Sequence, residues 1–141
     1  MEAFDCTHVV LHVRDLQQTH DFYHGLLGCS VRVFTNRILG IDLGRMFINF
    51  YPRKQDLSQV SVNHIGLELP TRASVNTWFS YLQQQGTDIY ASAAQTTSKT
   101  QIVLESLDDL KANQGYGPYR FYIYDPDGFR LELHTWEGVE D

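Results

Sequence analysis

Three residues of this chain combine the types and places that metal chemistry needs: His8, His64 and Glu132. His8 opens the run His8-Val-Val-Leu-His-Val, and His64 opens His64-Ile-Gly-Leu-Glu-Leu; both runs read as strands. Glu132 stands between Leu131 and Leu133, so strand alternation puts its carboxylate on the face opposite two leucines. If those leucines face a packed layer, the carboxylate points into the sheet interior and needs a compensating partner. A divalent cation between two neutral imidazoles supplies one. Two histidines and one carboxylate also leave coordination positions open for water or substrate. His12 and His134 share the parity of His8 and Glu132, which makes them candidates for orienting the ligands or touching substrate.

The same spacing says which elements must position these residues. Asp15 to Leu27 reads as an amphipathic helix with Leu16, His20, Tyr23 and Leu27 at helical spacing, stopped by Gly28. Ala73 to Gln85 reads as a second helix, burying Val75, Trp78, Phe79 and Leu82 and stopped by Gly86. Strand, helix and glycine therefore occur twice in the same order. Short strands are predicted over 30–34, 37–43 and 45–51 in the first half, and a final hairpin turns at Asp125-Pro-Asp-Gly128. Ser106 to Tyr119, long, polar and glycine-containing, reads as a mobile surface loop or part of a lid over a pocket. The result is a single α+β domain over 1–141, built from two βαβββ modules at about 5–58 and 61–136 joined by the polar connector Pro52 to Ser61. Matching the last strands by Gly44 and Gly128 sets Ile48 opposite Glu132 and Phe50 opposite His134.

The bulk properties remove several function classes. At 141 residues, 43% hydrophobic and 20% charged, the chain can bury a core without staples. A formal net charge of −6 and no Lys/Arg cluster argue against a nucleic-acid partner. No apolar run approaches the roughly 20 residues that cross a membrane. The N-terminus is unlike a secretory signal, and Cys6 and Cys29 are too few for a disulfide framework, so a reduced cytoplasmic setting is the simplest reading. His20 and His24 lie one helical turn apart, but without a His-Glu-x-x-His pattern they read as packing or solvated residues. Glycine-rich phosphate loops and nucleophile elbows are absent.

The segments His8-Val-Val-Leu-His-Val-Arg-Asp-Leu, Phe22-Tyr23-x-x-Leu26-Leu27-Gly28, Asn63-His64-Ile65-Gly66 and Phe121 to Leu133 together resemble the vicinal oxygen chelate superfamily. That superfamily includes glyoxalase I, extradiol ring-cleaving dioxygenases, fosfomycin-resistance enzymes and bleomycin-binding proteins. The resemblance implies a half-open, curved mixed sheet around a central cleft. It also implies one divalent ion on His8, His64 and Glu132 (Fe(II) or Mn(II) favoured; Zn, Ni or Mg as alternatives), a small-molecule substrate and a homodimer.

Departures from the family patterns narrow the reaction. Glyoxalase I supplies a fourth ligand where this chain has Ile48, with Asn49 next to it. Bleomycin-binding relatives lack metal ligands, whereas three candidates remain here. Extradiol enzymes match the ending at Phe121-Tyr122 and Asp125-Pro-Asp-Gly, but their upstream histidine falls in Asn113-Gln-Gly-Tyr116, which leaves Tyr116, Tyr119 or His12 as acid/base candidates. Fosfomycin-type enzymes share the ending Glu132-Leu-His-Thr, but Val10 stands where they carry threonine. The expected function is a ring-cleaving dioxygenase acting on a small catecholic substrate. The alternatives are a fosfomycin-resistance-like thiol transferase, another metal-assisted lyase or isomerase, and a non-catalytic small-molecule binding protein.

Overall fold

The computed structural model describes residues 3, 6–53, 64–91, 102–114 and 117–139. Its contacts divide the chain into two units, Met1–Ser61 with Asp125–Asp127, and Val62–Tyr124 with Gly128–Asp141. Each is a βαβββ-like module with its own mixed sheet, so the α+β architecture is as the repeat implied.

In the first module, β1 (His8–Val13) buries Leu11 and Val13 on one face and carries His8, Val10 and His12 on the other. It runs parallel to β4 (Met46–Pro52). That strand pairs antiparallel with β3 (Leu39–Leu43), and β3 with β2 (Val31–Phe34), giving the order β1-β4-β3-β2. The β3–β4 turn needs Gly44, whose φ of +60° is costly for a residue with a Cβ.

The connecting helix differs from the expected single α-helix. Asp15 caps α1 (Leu16–His20), accepting from the backbone N–H groups of Gln17 and Gln18 at 2.8 and 3.1 Å. Over Asp21–Leu26 the chain widens into a π-helical stretch, in which the Leu27 N–H reaches the Phe22 carbonyl at 3.0 Å. Thr19, not His20, joins Leu16 and Tyr23 on the buried face. Its hydroxyl tolerates burial by donating to the Asp15 carbonyl at 3.0 Å. The Tyr23 and Phe50 rings meet at 5.0 Å in a core with Leu39, Ile41 and Ile48.

A short piece of distant sequence completes this unit. The buried Tyr23 hydroxyl donates to Asp125 Oδ2 at 2.9 Å, and the Arg14 backbone N–H donates to Asp127 Oδ1 at 2.9 Å. The Arg14 guanidinium also donates to Asp127 Oδ1 and to the Pro126 carbonyl.

In the second module, β5 (Ile65–Glu68) runs parallel to β7 (Arg130–Thr135), which pairs antiparallel with β6 (Tyr119–Tyr124), giving β5-β7-β6. Among the described residues the remaining strand is reduced to Tyr90, which bridges Val103 and Tyr122. Thr71 caps α2 (Arg72–Gln84) through the Ser74 N–H at 3.0 Å. This helix buries Val75, Phe79 and Leu82. Trp78, expected beside them, is half-buried and packs edge-on against Tyr81 at 5.5 Å. Phe79 meets Phe121 edge-to-face at 5.6 Å.

The segment expected as a mobile loop or lid instead contains α3 (Leu107–Ala112). Ser106 Oγ caps it by accepting from the Asp109 N–H at 3.1 Å, and Leu110 is fully buried. Six residues with two leucines, of which only Leu110 is buried, are too short a run for a helical period to stand out, which is why the sequence pattern missed this helix. No helix among the described residues is long and apolar enough to cross a membrane.

Candidate functional site

Strand β7 turns its leucines and its carboxylate to opposite faces. Leu131 and Leu133 are buried, and Glu132, only 8% exposed, stands on the other face. Its partner across the β6–β7 hairpin is Tyr122, whose hydroxyl donates to Glu132 Oε2 at 2.7 Å. The Arg120 Nε lies 3.9 Å from the same oxygen, and His64 Nε2 lies 3.7 Å from it. His64 directly precedes β5, and its ring meets Tyr122 edge-on at 5.9 Å. The other oxygen, Oε1, faces His134 Nδ1 at 3.1 Å. This nitrogen is buried and makes no hydrogen bond among the described residues. One carboxylate thus gathers a phenol, a guanidinium and two imidazoles.

The other candidates sit on other elements. His8 and His12 are on the four-stranded sheet of the first module. His8 stacks on Phe47 at 5.1 Å with its Nδ1 2.9 Å from Thr7 Oγ1, while His12 tilts against Tyr51 at 6.3 Å. Tyr119 faces away from Glu132, because β6 sends residues 119, 121 and 123 toward α2. Its hydroxyl donates to Asn76 Oδ1 at 2.7 Å, and burial raises its pKa. Tyr116 lies outside the described residues. His20 stacks on Phe34 at 4.6 Å, and His24 Nδ1 lies 2.8 Å from the Cys29 carbonyl, so both have local partners.

The strand register corrects one expectation about the first module. Gly66 pairs with Glu132 in the second module, and Val10, two residues after His8 as Gly66 is after His64, pairs with Asn49. Asn49, not Ile48, therefore occupies the place equivalent to Glu132, and Ile48 is fully buried like Leu131. Sequence reasoning also missed Tyr122 and Arg120, although counting outward from the Asp125-Pro-Asp-Gly128 turn pairs them with Glu132 and His134.

The profile of the Glyoxalase/Bleomycin resistance protein/Dioxygenase superfamily matches residues 6–133. The chain belongs to that superfamily. Solved structures agree on the fold. A lactoylglutathione lyase from Agrobacterium tumefaciens is 15% identical at a TM-score of 0.67, with 96% of each chain covered. A virulence protein from Salmonella typhimurium is 24% identical at a TM-score of 0.60, covering 96% of this chain and 98% of its own. A fosfomycin-resistance protein from Mesorhizobium loti is 18% identical at 0.60, covering 96% and 93%. No curated protein sequence matches the chain.

Among the described residues, no group of three or more His, Cys, Asp or Glu is arranged to hold a metal ion. Within the second module, the candidates His64 and Glu132 lie side by side. Donor atoms sharing one ion at about 2.1 Å lie roughly 3 to 3.4 Å apart, so the 3.7 Å between His64 Nε2 and Glu132 Oε2 needs only a small approach. His8, with Nδ1 beside Thr7, keeps Nε2 as its outer nitrogen. Imidazole and carboxylate are donor types that suit a divalent cation.

Proposed function

We propose that the protein is a divalent-metal-dependent enzyme that binds a small substrate through two adjacent oxygens, with ring cleavage of a catecholic substrate as its reaction. The observation that carries this reading is the buried Glu132 carboxylate with the His64 imidazole beside it. His64 and Glu132, with His8 as third donor, would hold the ion, and the protein would work as a homodimer. Bound there, Fe(II) or Mn(II) would supply Lewis acidity that lowers the pKa of the substrate hydroxyls.

The chain's own residues prepare the site. Tyr122 fixes the plane of the Glu132 carboxylate by donating to Oε2. Arg120, at 11% side-chain exposure, offsets negative charge where a catecholate would add more. The buried position of Glu132 limits water, which strengthens every charge interaction there. Net ring cleavage breaks one ring C–C bond and places both atoms of O2 in the product.

Protein purified without chelator should carry about one divalent ion per chain, lost in His64→Ala and Glu132→Ala. Anaerobic loading with Fe(II) followed by catechol should give a charge-transfer band, and oxygen uptake on aeration. Absence of bound ion overturns the metal reading. Bound ion without oxygen uptake across several catechols overturns ring cleavage and favours a second reading, a metal-assisted transferase, lyase or isomerase acting on an anionic substrate. The observation favouring that reading is the Arg120 guanidinium beside the carboxylate.

A further inference from the structure

Gly66 is a glycine whose backbone does not require one. Six described glycines have positive φ, and Gly66 is not among them. It lies inside β5, where glycine weakens a strand and where its presence marks a close approach. The neighbour is identifiable: a Cβ built on Gly66 would lie 3.2 Å from His134 Cε1 and 3.7 Å from His134 Nδ1. The imidazole therefore leans from its own register position, opposite Glu68, back over the bare backbone of residue 66. That lean brings Nδ1 to 3.1 Å from Glu132 Oε1.

Glu132 is then flanked on both sides, by the His134 ring packed 3.1 Å from Oε1 and by Tyr122, which donates to Oε2. In the first module the equivalent of Gly66 is Val10, and the partners of its strand are Asn49 and Tyr51, with no imidazole to accommodate. The missing side chain accompanies the histidine and the carboxylate.

We propose that Gly66 and His134 are positioning residues for metal binding: the bare strand seats the His134 ring, and the ring, packed against Oε1, limits the Glu132 carboxylate to the orientation that serves the ion. This rests on the metal-dependent reading above and extends it to two residues that need not touch the metal. A Cβ at position 66 makes the ring give by a few tenths of an ångström, and the Oε1 side of the carboxylate shifts with it while Tyr122 still holds Oε2. The carboxylate is then no longer pre-set for the ion.

The test uses the full chain as wild type, Gly66→Ala, His134→Ala and the double variant, with Co(II) as probe. Affinity is read by calorimetry, ligand geometry by the visible Co(II) spectrum, and folding by circular dichroism. Gly66→Ala should weaken Co(II) by about tenfold and alter the spectrum. In the His134→Ala background the same substitution should change affinity less than about twofold, because the clash is gone. The double variant should melt no lower than His134→Ala, since alanine suits a strand better than glycine. Unchanged affinity and spectrum in Gly66→Ala, or an equal loss with and without His134, would overturn the positioning role alone. Wild-type protein that takes up no Co(II) would overturn the metal reading, and this inference with it.

Discussion

The two modules repeat one order of elements and use their two sheet faces differently. On the packed faces the pattern is kept: Ile48 and Phe50 in β4 match Leu131 and Leu133 in β7, all buried. On the opposite faces it diverges, with Val10, Asn49 and Tyr51 in one module and Gly66, Glu132 and His134 in the other. Packing constrains volume and polarity tightly, so the repeat survives where a core must be filled. The other face is free to specialise: among the described residues the first module carries there a half-exposed Arg32–Asp42 ion pair, whereas the second gathers a phenol, a guanidinium and two imidazoles around a nearly buried carboxylate.

The comparison is broken most directly by exchanging the chemistry of equivalent positions. Glu132→Ala should lower divalent-ion affinity by more than about 100-fold, the upper range for outer-shell changes, because it removes a ligand. Asn49→Ala, at the equivalent register position, should change it by only a few-fold. Equal losses in a titration of both variants with Mn(II) would show that the modules contribute alike, and that the asymmetry of their open faces is without consequence.

What was legible in the sequence follows the same division. Alternation around Glu132 marked it as interior, because Leu131 and Leu133 needed a packed layer and α2 supplied one. The equivalent of Glu132 was misplaced by one residue, at Ile48, because glycine-to-glycine counting assumes that the turn sets the register. In the fold, β4 takes its register from parallel pairing with β1, more than 30 residues away in sequence, and such pairing leaves no local trace. The seat of His134 over Gly66 was illegible for a similar reason. A glycine inside a strand signals a close approach but not its partner.

The modules also differ in how they anchor their helices. Phe79 packs on Phe121 with no polar group involved, whereas Tyr23 carries a hydroxyl that donates to the nearly buried Asp125. Tyr23→Phe removes that donor from a buried carboxylate and should cost ~1–3 kcal/mol in urea unfolding at neutral pH. A pH signature should accompany it. Burial first, and the Asp125 charge second, push the Tyr23 phenol well above its ordinary range. The unfolded chain releases this proton near pH ~10 while the native protein retains it. Stability from this group is therefore fully present below pH ~10 and is lost as pH rises from there toward the folded value. Tyr23→Phe should show a shallower alkaline decline than wild type, and identical slopes would refute the assignment.

The smallest expected difference lies in the helix caps, where the modules use different chemistry for one task. The Asp15 carboxylate accepts from two backbone N–H groups, and the Thr71 hydroxyl accepts from one, that of Ser74. A charged acceptor bonded twice should contribute more than a neutral one bonded once. Thermal melts of Asp15→Ala should then show a loss of ~1–2 kcal/mol, and those of Thr71→Ala ~0.5–1 kcal/mol. Helix length argues the other way, since α2 runs for 13 residues and α1 for only five before the π-helical stretch begins. A larger loss in Thr71→Ala would mean that the length of helix behind a cap outweighs the number of hydrogen bonds it makes. The short helix of the first module would then be held chiefly by Tyr23 and its neighbours in the core, not by its first turn.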